Sequence, residues 1–162
     1  MNEFLNMMQP VKFQRVTNAV VSDIISINSK FFYFHITNCI NFTANNLNIV
    51  APDDTFNTDG MHISDTNGVK LTNNTFEIGD DCIFISVDSL GKEVNEAYVK
   101  GITMSNCTLF NTINSVRIKP SRVKISNIYC KNVKKTSTSD IAINFLCNLF
   151  VPCKEIELVN IN

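Results

Sequence analysis

A five-residue pattern returns along this chain: apolar, any residue, apolar, small or β-branched, then Asn. It occurs at Val69–Asn73, Ile102–Asn106, Val123–Asn127 and Ile156–Asn160, with weaker copies starting at Ala19 and Phe42. The starts fall 23, 27, 33, 21 and 33 residues apart. Alternation with a period of two makes each copy a strand. Short strands that return every ~20–35 residues are coils of a solenoid, because each coil covers its apolar face only by stacking on the next. Asn accepts left-handed backbone and suits the corner where a coil turns. A leucine-rich frame is absent, and five Gly are few for the hairpins of an antiparallel sandwich. No long stretch shows helical apolar spacing. The fold expected is all-β, a parallel β-helix, as a single domain over residues 1–162.

Two short acidic motifs lie inside this frame. Asn57-Thr58-Asp59-Gly60 carries one carboxylate and Gly79-Asp80-Asp81-Cys82 carries two. Asp59 and Asp80 are 21 positions apart, close to one coil, so stacking brings them side by side. Consecutive strand residues point to opposite faces, so Asp80 and Asp81 share a cleft only if the backbone bends, and Gly79 permits a bend. Arg117 and Lys119 flank Ile118, and their i, i+2 spacing puts both charges on one face. Carboxylates beside fixed cations suit hydrolysis of an acidic sugar polymer, with acid and base work on one side and carboxylate binding on the other. The plainer reading, carboxylates that only cap coil corners, is taken for Asp53 and Asp54.

The strings NTDGMHIS, GDDCI, ISVDSLG, VKGITMSNCTLFNT, NSVRIK and LCNLFVPC run through the chain in one order. In these the chain resembles plant polygalacturonases, pectin-hydrolysing glycosidases built on a right-handed parallel β-helix. The resemblance implies hydrolysis of α-1,4-linked galacturonate with inversion at the anomeric carbon, without a cofactor or metal. It implies Asp80 as general acid, Asp59 and Asp81 as the groups that activate water, and Arg117 and Lys119 as binders of the substrate carboxylate. It also implies a secreted, cell-wall protein acting as a monomer on pectin, and a disulfide between Cys147 and Cys153.

The departures from that family are local. Its Gly-His-Gly motif precedes the stretch equivalent to Ile85–Gly91, and here Cys82-Ile83-Phe84 stands there, with Ile83 at the His position. Loss of about one coil accounts for this and moves Arg117 and Lys119 about 4.8 Å closer to the carboxylates. Lys119 is followed by Pro120-Ser121-Arg122-Val123 instead of a Trp-containing segment, and the chain has no Trp. The first coils of the family's solenoid have no counterpart before Val11. A shifted site without its His leads to the alternative expectation, a catalytically impaired β-helix that at most binds pectin.

Net charge is −1, which argues against a general nucleic-acid binder. Apolar content of 44% with 18% charged residues describes a globular chain. No run is long enough for a membrane helix, and Met1–Pro10 lacks the basic start and apolar run of a signal peptide. Phe31–Ile36 reads as buried strand aromatics. His35 reads as a packed strand residue. His62, three residues past Asp59, lies near the cleft, yet a base or ligand role needs a partner the sequence does not show. Two His and no Cys-x-x-Cys pair give no zinc frame. Cys82 has no expected partner, and Cys39, Cys107 and Cys130 read as buried ladder positions. Asn41, Asn73 and Asn106 begin glycosylation sequons.

Overall fold

The computed structural model describes residues 11–28, 33–51, 58–86, 98–119, 124–137 and 143–162. Each coil supplies a strand to successive faces. The first coil is β1 (Val11–Gln14), β2 (Thr17–Ser22) and β3 (Ile25–Ile27), the second β4 (Phe34–Thr37), β5 (Ile40–Asn45) and β6 (Asn48–Val50). The third is β7 (Met61–Ser64), β8 (Asn67–Thr72) and β9 (Thr75–Glu77), and the fourth β10 (Asp81–Ser86), β11 (Tyr98–Ser105) and β12 (Thr108–Thr112). Then come β13 (Asn114–Ile118) with the long β14 (Lys124–Ser137), and β15 (Ile143–Phe145) with β16 (Lys154–Ile161).

Among the described residues all strand pairings are parallel. The first face is a six-stranded sheet in the order β1-β4-β7-β10-β13-β15. The second face stacks β2, β5, β8, β11, the start of β14 and β16. The third stacks β3, β6, β9, β12 and the end of β14, so β14 turns the corner and joins the two faces. The chain is therefore an all-β parallel β-helix.

Identical positions stack from coil to coil and fill the interior. Phe34, Met61, Ile83 and Val116 are in register, as are Ile36, Ile63, Ile85 and Ile118. The second face adds Phe42, Val69, Ile102 and Ile128, and the third adds Ile49, Phe76 and Leu109. All of these are buried. Such dry ladders remove apolar area from water along the whole axis, at roughly 25 cal/mol per Å².

The corners explain the Asn. Asp23, Asn46, Asn73, Asn106, Asn132 and Asn160 all adopt left-handed backbone, with φ from 52° to 58°. Their side chains bond along the axis: Asn106 Nδ2 donates to Asn73 Oδ1 (3.4 Å), Asn132 Nδ2 to Asn106 Oδ1 (3.1 Å) and Asn160 Nδ2 to Asn132 Oδ1 (2.8 Å). One copy of the expected repeat is misplaced. The rung above Ile102–Asn106 is Ile128–Asn132, not Val123–Asn127, because Ile102 pairs with Ile128 and Met104 with Cys130. Lys131 breaks the small-residue position and hides that copy. Asn127 is left-handed too, but it belongs to a second ladder at the start of this face, with Asn18, Asn41, Gly68, Gly101 and Glu155. Val123, Phe31, Phe32, Asp53 and Asp54 lie outside the described residues.

Candidate active site

The carboxylates sit where the chain enters the first face on adjacent coils. Asp59 and Gly60 precede β7, Gly79 and Asp80 form a bend before β10, and Asp81 opens that strand. Gly60 is required by packing: a Cβ there would lie 2.6 Å from the Cys82 carbonyl oxygen and 2.8 Å from the Phe76 ring. This close approach lets the Asp59 coil settle against the Asp80–Asp81 coil, where Gly60 N donates to Asp81 O (2.9 Å).

The three side chains converge. One oxygen from each of Asp59, Asp80 and Asp81 lies within 4.8 Å of the others. The expected bend at Gly79–Asp80 therefore exists, and consecutive Asp80 and Asp81 serve one cluster. Asp59 and Asp81 are buried, and Asp80 is partly exposed. The Thr58 amide donates to Asp80 Oδ2 (3.2 Å), and Asn57, which precedes it, lies outside the described residues. Thr112 Oγ1 lies against the Asp80 carbonyl oxygen and donates within 2.7 Å of the Asn114 carbonyl, tying this corner to β13.

Asp81 is the most heavily held. Asn114 Nδ2 donates to its Oδ1 at 2.8 Å, and Arg117 Nη1 pairs with its Oδ2 at 3.2 Å. Register puts them there, since Asp81 stands opposite Asn114, and Phe84 opposite Arg117. The Arg117 guanidinium also lies over the Phe84 ring, 5.8 Å from its centroid. Lys119 is exposed just beyond β13, with its amide on the Ile85 carbonyl (3.1 Å). Of the two expected cations, then, Arg117 joins the carboxylates directly.

Burial, followed by repulsion from Asp81 and Asp80, pushes the Asp59 carboxyl up to about 7, with Arg117 opposing. Burial also raises Asp81, against the lowering effect of the Asn114 hydrogen bond and Arg117. A carboxyl raised in this way can hold a proton near neutral pH. Three carboxylate oxygens are also the donor set of a hard cation, but Arg117 already supplies positive charge to Asp81.

Ile83 is not a gap in the cleft. Its side chain is fully buried in the interior ladder, and the outward position in register with Arg117 is Phe84. His62 is the residue opposite Phe84 on β7, buried, with its ring 4.9 Å from Phe84 and stacked at 4.8 Å on His35. Its Nε2 is 2.6 Å from Ser86 Oγ. Both histidines are thus packed strand residues, as expected. Asn114 is the site residue that sequence reasoning missed. Its signal was positional, three residues before Arg117 and one coil after Asp81, and it needed the true coil length to be seen.

Cys147 and Cys153 form a disulfide. Cys39, Cys82, Cys107 and Cys130 are free and buried. Burial pushes the Cys82 thiol up to about 12, which keeps this unpaired cysteine inert. Among the described residues, no helix is long and apolar enough to cross a membrane.

Comparison with known proteins identifies a family. Residues 4–86 match the family described as Glycosyl hydrolases family 28. An exopolygalacturonase of Arabidopsis thaliana is 32% identical over 94% of this chain and 48% of its own length. A polygalacturonase of Gossypium barbadense is 33% identical over 94% of this chain and 53% of its own, and an exopolygalacturonase of Platanus acerifolia is 29% identical over 94% and 57%. The chain thus spans about half the length of the curated relatives it matches. The alignments run over 215 positions against a chain of 162 residues, so these relatives carry internal segments that this chain lacks. By its matched family model and its similarity to these relatives over 94% of its length, the chain belongs to glycosyl hydrolases family 28.

Proposed function

We propose that the cluster is a polygalacturonase-type hydrolytic site acting on α-1,4-linked galacturonate in pectin, outside the cell and in the wall, with the chain acting as a monomer. The observation that carries this reading is the convergence of Asp59, Asp80 and Asp81 beside Arg117 on consecutive coils of a family 28 chain. Glycoside hydrolysis needs one protonated carboxyl at the leaving oxygen and one carboxylate for water. Arg117 and Lys119 are the cations that a galacturonate carboxylate would meet. The family resemblance favours Asp80 as the acid, whereas the electrostatics favour Asp59.

A second reading has its own observation. Arg117 is engaged with Asp81, and Phe84 fills the outward position beside it, so the site is tighter than an open cleft. In that reading the chain at most binds the polymer, with hydrolysis absent or at least about a hundredfold slower than at an intact site, the order expected for one missing acid–base group. Reducing-end release from polygalacturonic acid, with Asp80→Asn as control, separates the two. Release that disappears in the control supports hydrolysis. Retention on immobilised polygalacturonate without release, by folded protein, supports the binding form. A folded protein that does neither overturns both.

A further inference from the structure

We propose that Phe84 sets how much of Arg117 a sugar carboxylate can reach: its ring covers the Nε side of the guanidinium while Asp81 occupies Nη1, so the two-pronged grip is closed in the resting chain. The consequence for pectin rests on the polygalacturonase-type reading above, but the covering of Arg117 does not.

Register brings the two side chains together. The outward row of the first face runs Lys12, His35, His62, Phe84, Arg117 and Asn144, one residue per coil. Paired strands lie about 4.8 Å apart, so a large side chain in this row meets its neighbours. The His62 ring is 4.9 Å from Phe84 on one side, and the Arg117 guanidinium lies 5.8 Å from the same ring on the other. Phe84 is therefore wedged between a buried histidine and a cation, and is only partly exposed.

The donors of Arg117 show what this costs the site. A guanidinium grips a carboxylate best through two parallel N–H groups. Nη1 donates to Asp81 Oδ2 at 3.2 Å. Nε is cut off from water and, among the described residues, has no hydrogen-bond partner. A buried donor without a partner is costly, and the apolar surface against which this guanidinium lies is the Phe84 ring. The Arg117 side chain as a whole is still 37% exposed, so the cation is not sealed; what it lacks is the fork that includes Nε. A sugar carboxylate arriving here meets single donors and the negative face of an aromatic ring. A small residue at position 84 would open Nε and make the fork available.

The first test needs no sugar. By NMR of the full chain, the Arg117 Nε–H should exchange slowly with water in the wild type and at least about tenfold faster in Phe84→Ala. Phe84→Leu, which keeps the bulk, should stay near the wild type. The second test is calorimetric titration with trigalacturonate, in chains that also carry Asp80→Asn so that the oligomer is not cleaved. Phe84→Ala should bind about tenfold more tightly, the order of one added hydrogen bond to a charged group, and a further Arg117→Gln should remove that gain. A wild-type Nε–H that exchanges as fast as that of a solvated arginine overturns the proposal without any variant. So does binding by the wild-type site that Phe84→Ala leaves unchanged or weakens, which would make the ring a platform for the sugar. Faster exchange in Phe84→Ala, with no form binding the oligomer, would keep the cover over Arg117 and reject the pectin reading.

Discussion

Asp59 is a buried carboxyl whose proton affinity is raised, and that has a definite consequence for stability. Its carboxyl is pushed up to about 7 in the fold, while an unfolded aspartate titrates near its ordinary value. Between these limits the native state binds more protons than the unfolded state, so stability falls as pH rises. The contribution is complete below pH ~4 and lost by pH ~7, and is on the order of 4 kcal/mol at most. Asp81, raised by burial, acts in the same direction. Urea melts at pH 4.5 and pH 8 should show the wild type weaker at the higher pH. Asp59→Asn should flatten most of that difference. An unchanged slope in the variant would mean that Asp59 is not the group holding the proton. The same crowding bears on stereochemistry. Oxygens within 4.8 Å lie closer than the ~6.5–9.5 Å between carboxyls of inverting enzymes. The resemblance implies inversion, and the first anomer formed, followed by proton NMR, decides between the two.

Strand corners make up the next scale. Asn132 is left-handed and bonds both neighbours, accepting from Asn160 (2.8 Å) and donating to Asn106 (3.1 Å). Asn132→Ala should destabilise the chain by about 1–2 kcal/mol, from lost bonds and from a side chain with no tolerance for positive φ. Asn132→Gly should cost less, because glycine keeps the backbone without strain. Equal losses in the two, by urea titration, would show that φ contributes nothing. These ladders were the most legible part of the sequence, since strand alternation and a terminal Asn are local signals. The register was only partly legible. Asn127 and Asn132 are both left-handed, and the pattern chose the wrong one because Lys131 is outward-facing and free to vary. The carboxylate cluster was legible because adjacent-coil spacing and a Gly before Asp80 are both written in the chain. Asn114 was not, because its role depends on which residue stacks on Asp81, and that depends on a coil length of 33 residues. The core position of Ile83 was likewise hidden, since a string alignment does not say which way a strand residue faces.

At the scale of the molecule, a solenoid is held coil by coil, so each coil's stability depends mainly on its neighbours. The carboxylate cluster spans β7, β10 and β13, whereas the Cys147–Cys153 disulfide lies between β15 and β16. Closing so short a loop contributes about 2 kcal/mol in a chain-entropy account. That contribution should be felt locally. Among the described residues β15 pairs only β13, and β16 pairs only β14, while β10 is paired on both sides by β7 and β13. Under mild reduction, or in a Cys147→Ser/Cys153→Ser variant, amide exchange should quicken first in β15 and β16. The interior amides of β7 and β10 should keep their protection, and the Asp59 titration should stay where it was. Uniform loss of protection along the axis would instead show that the coils unfold as one unit, and that the site depends on the disulfide from two strands away.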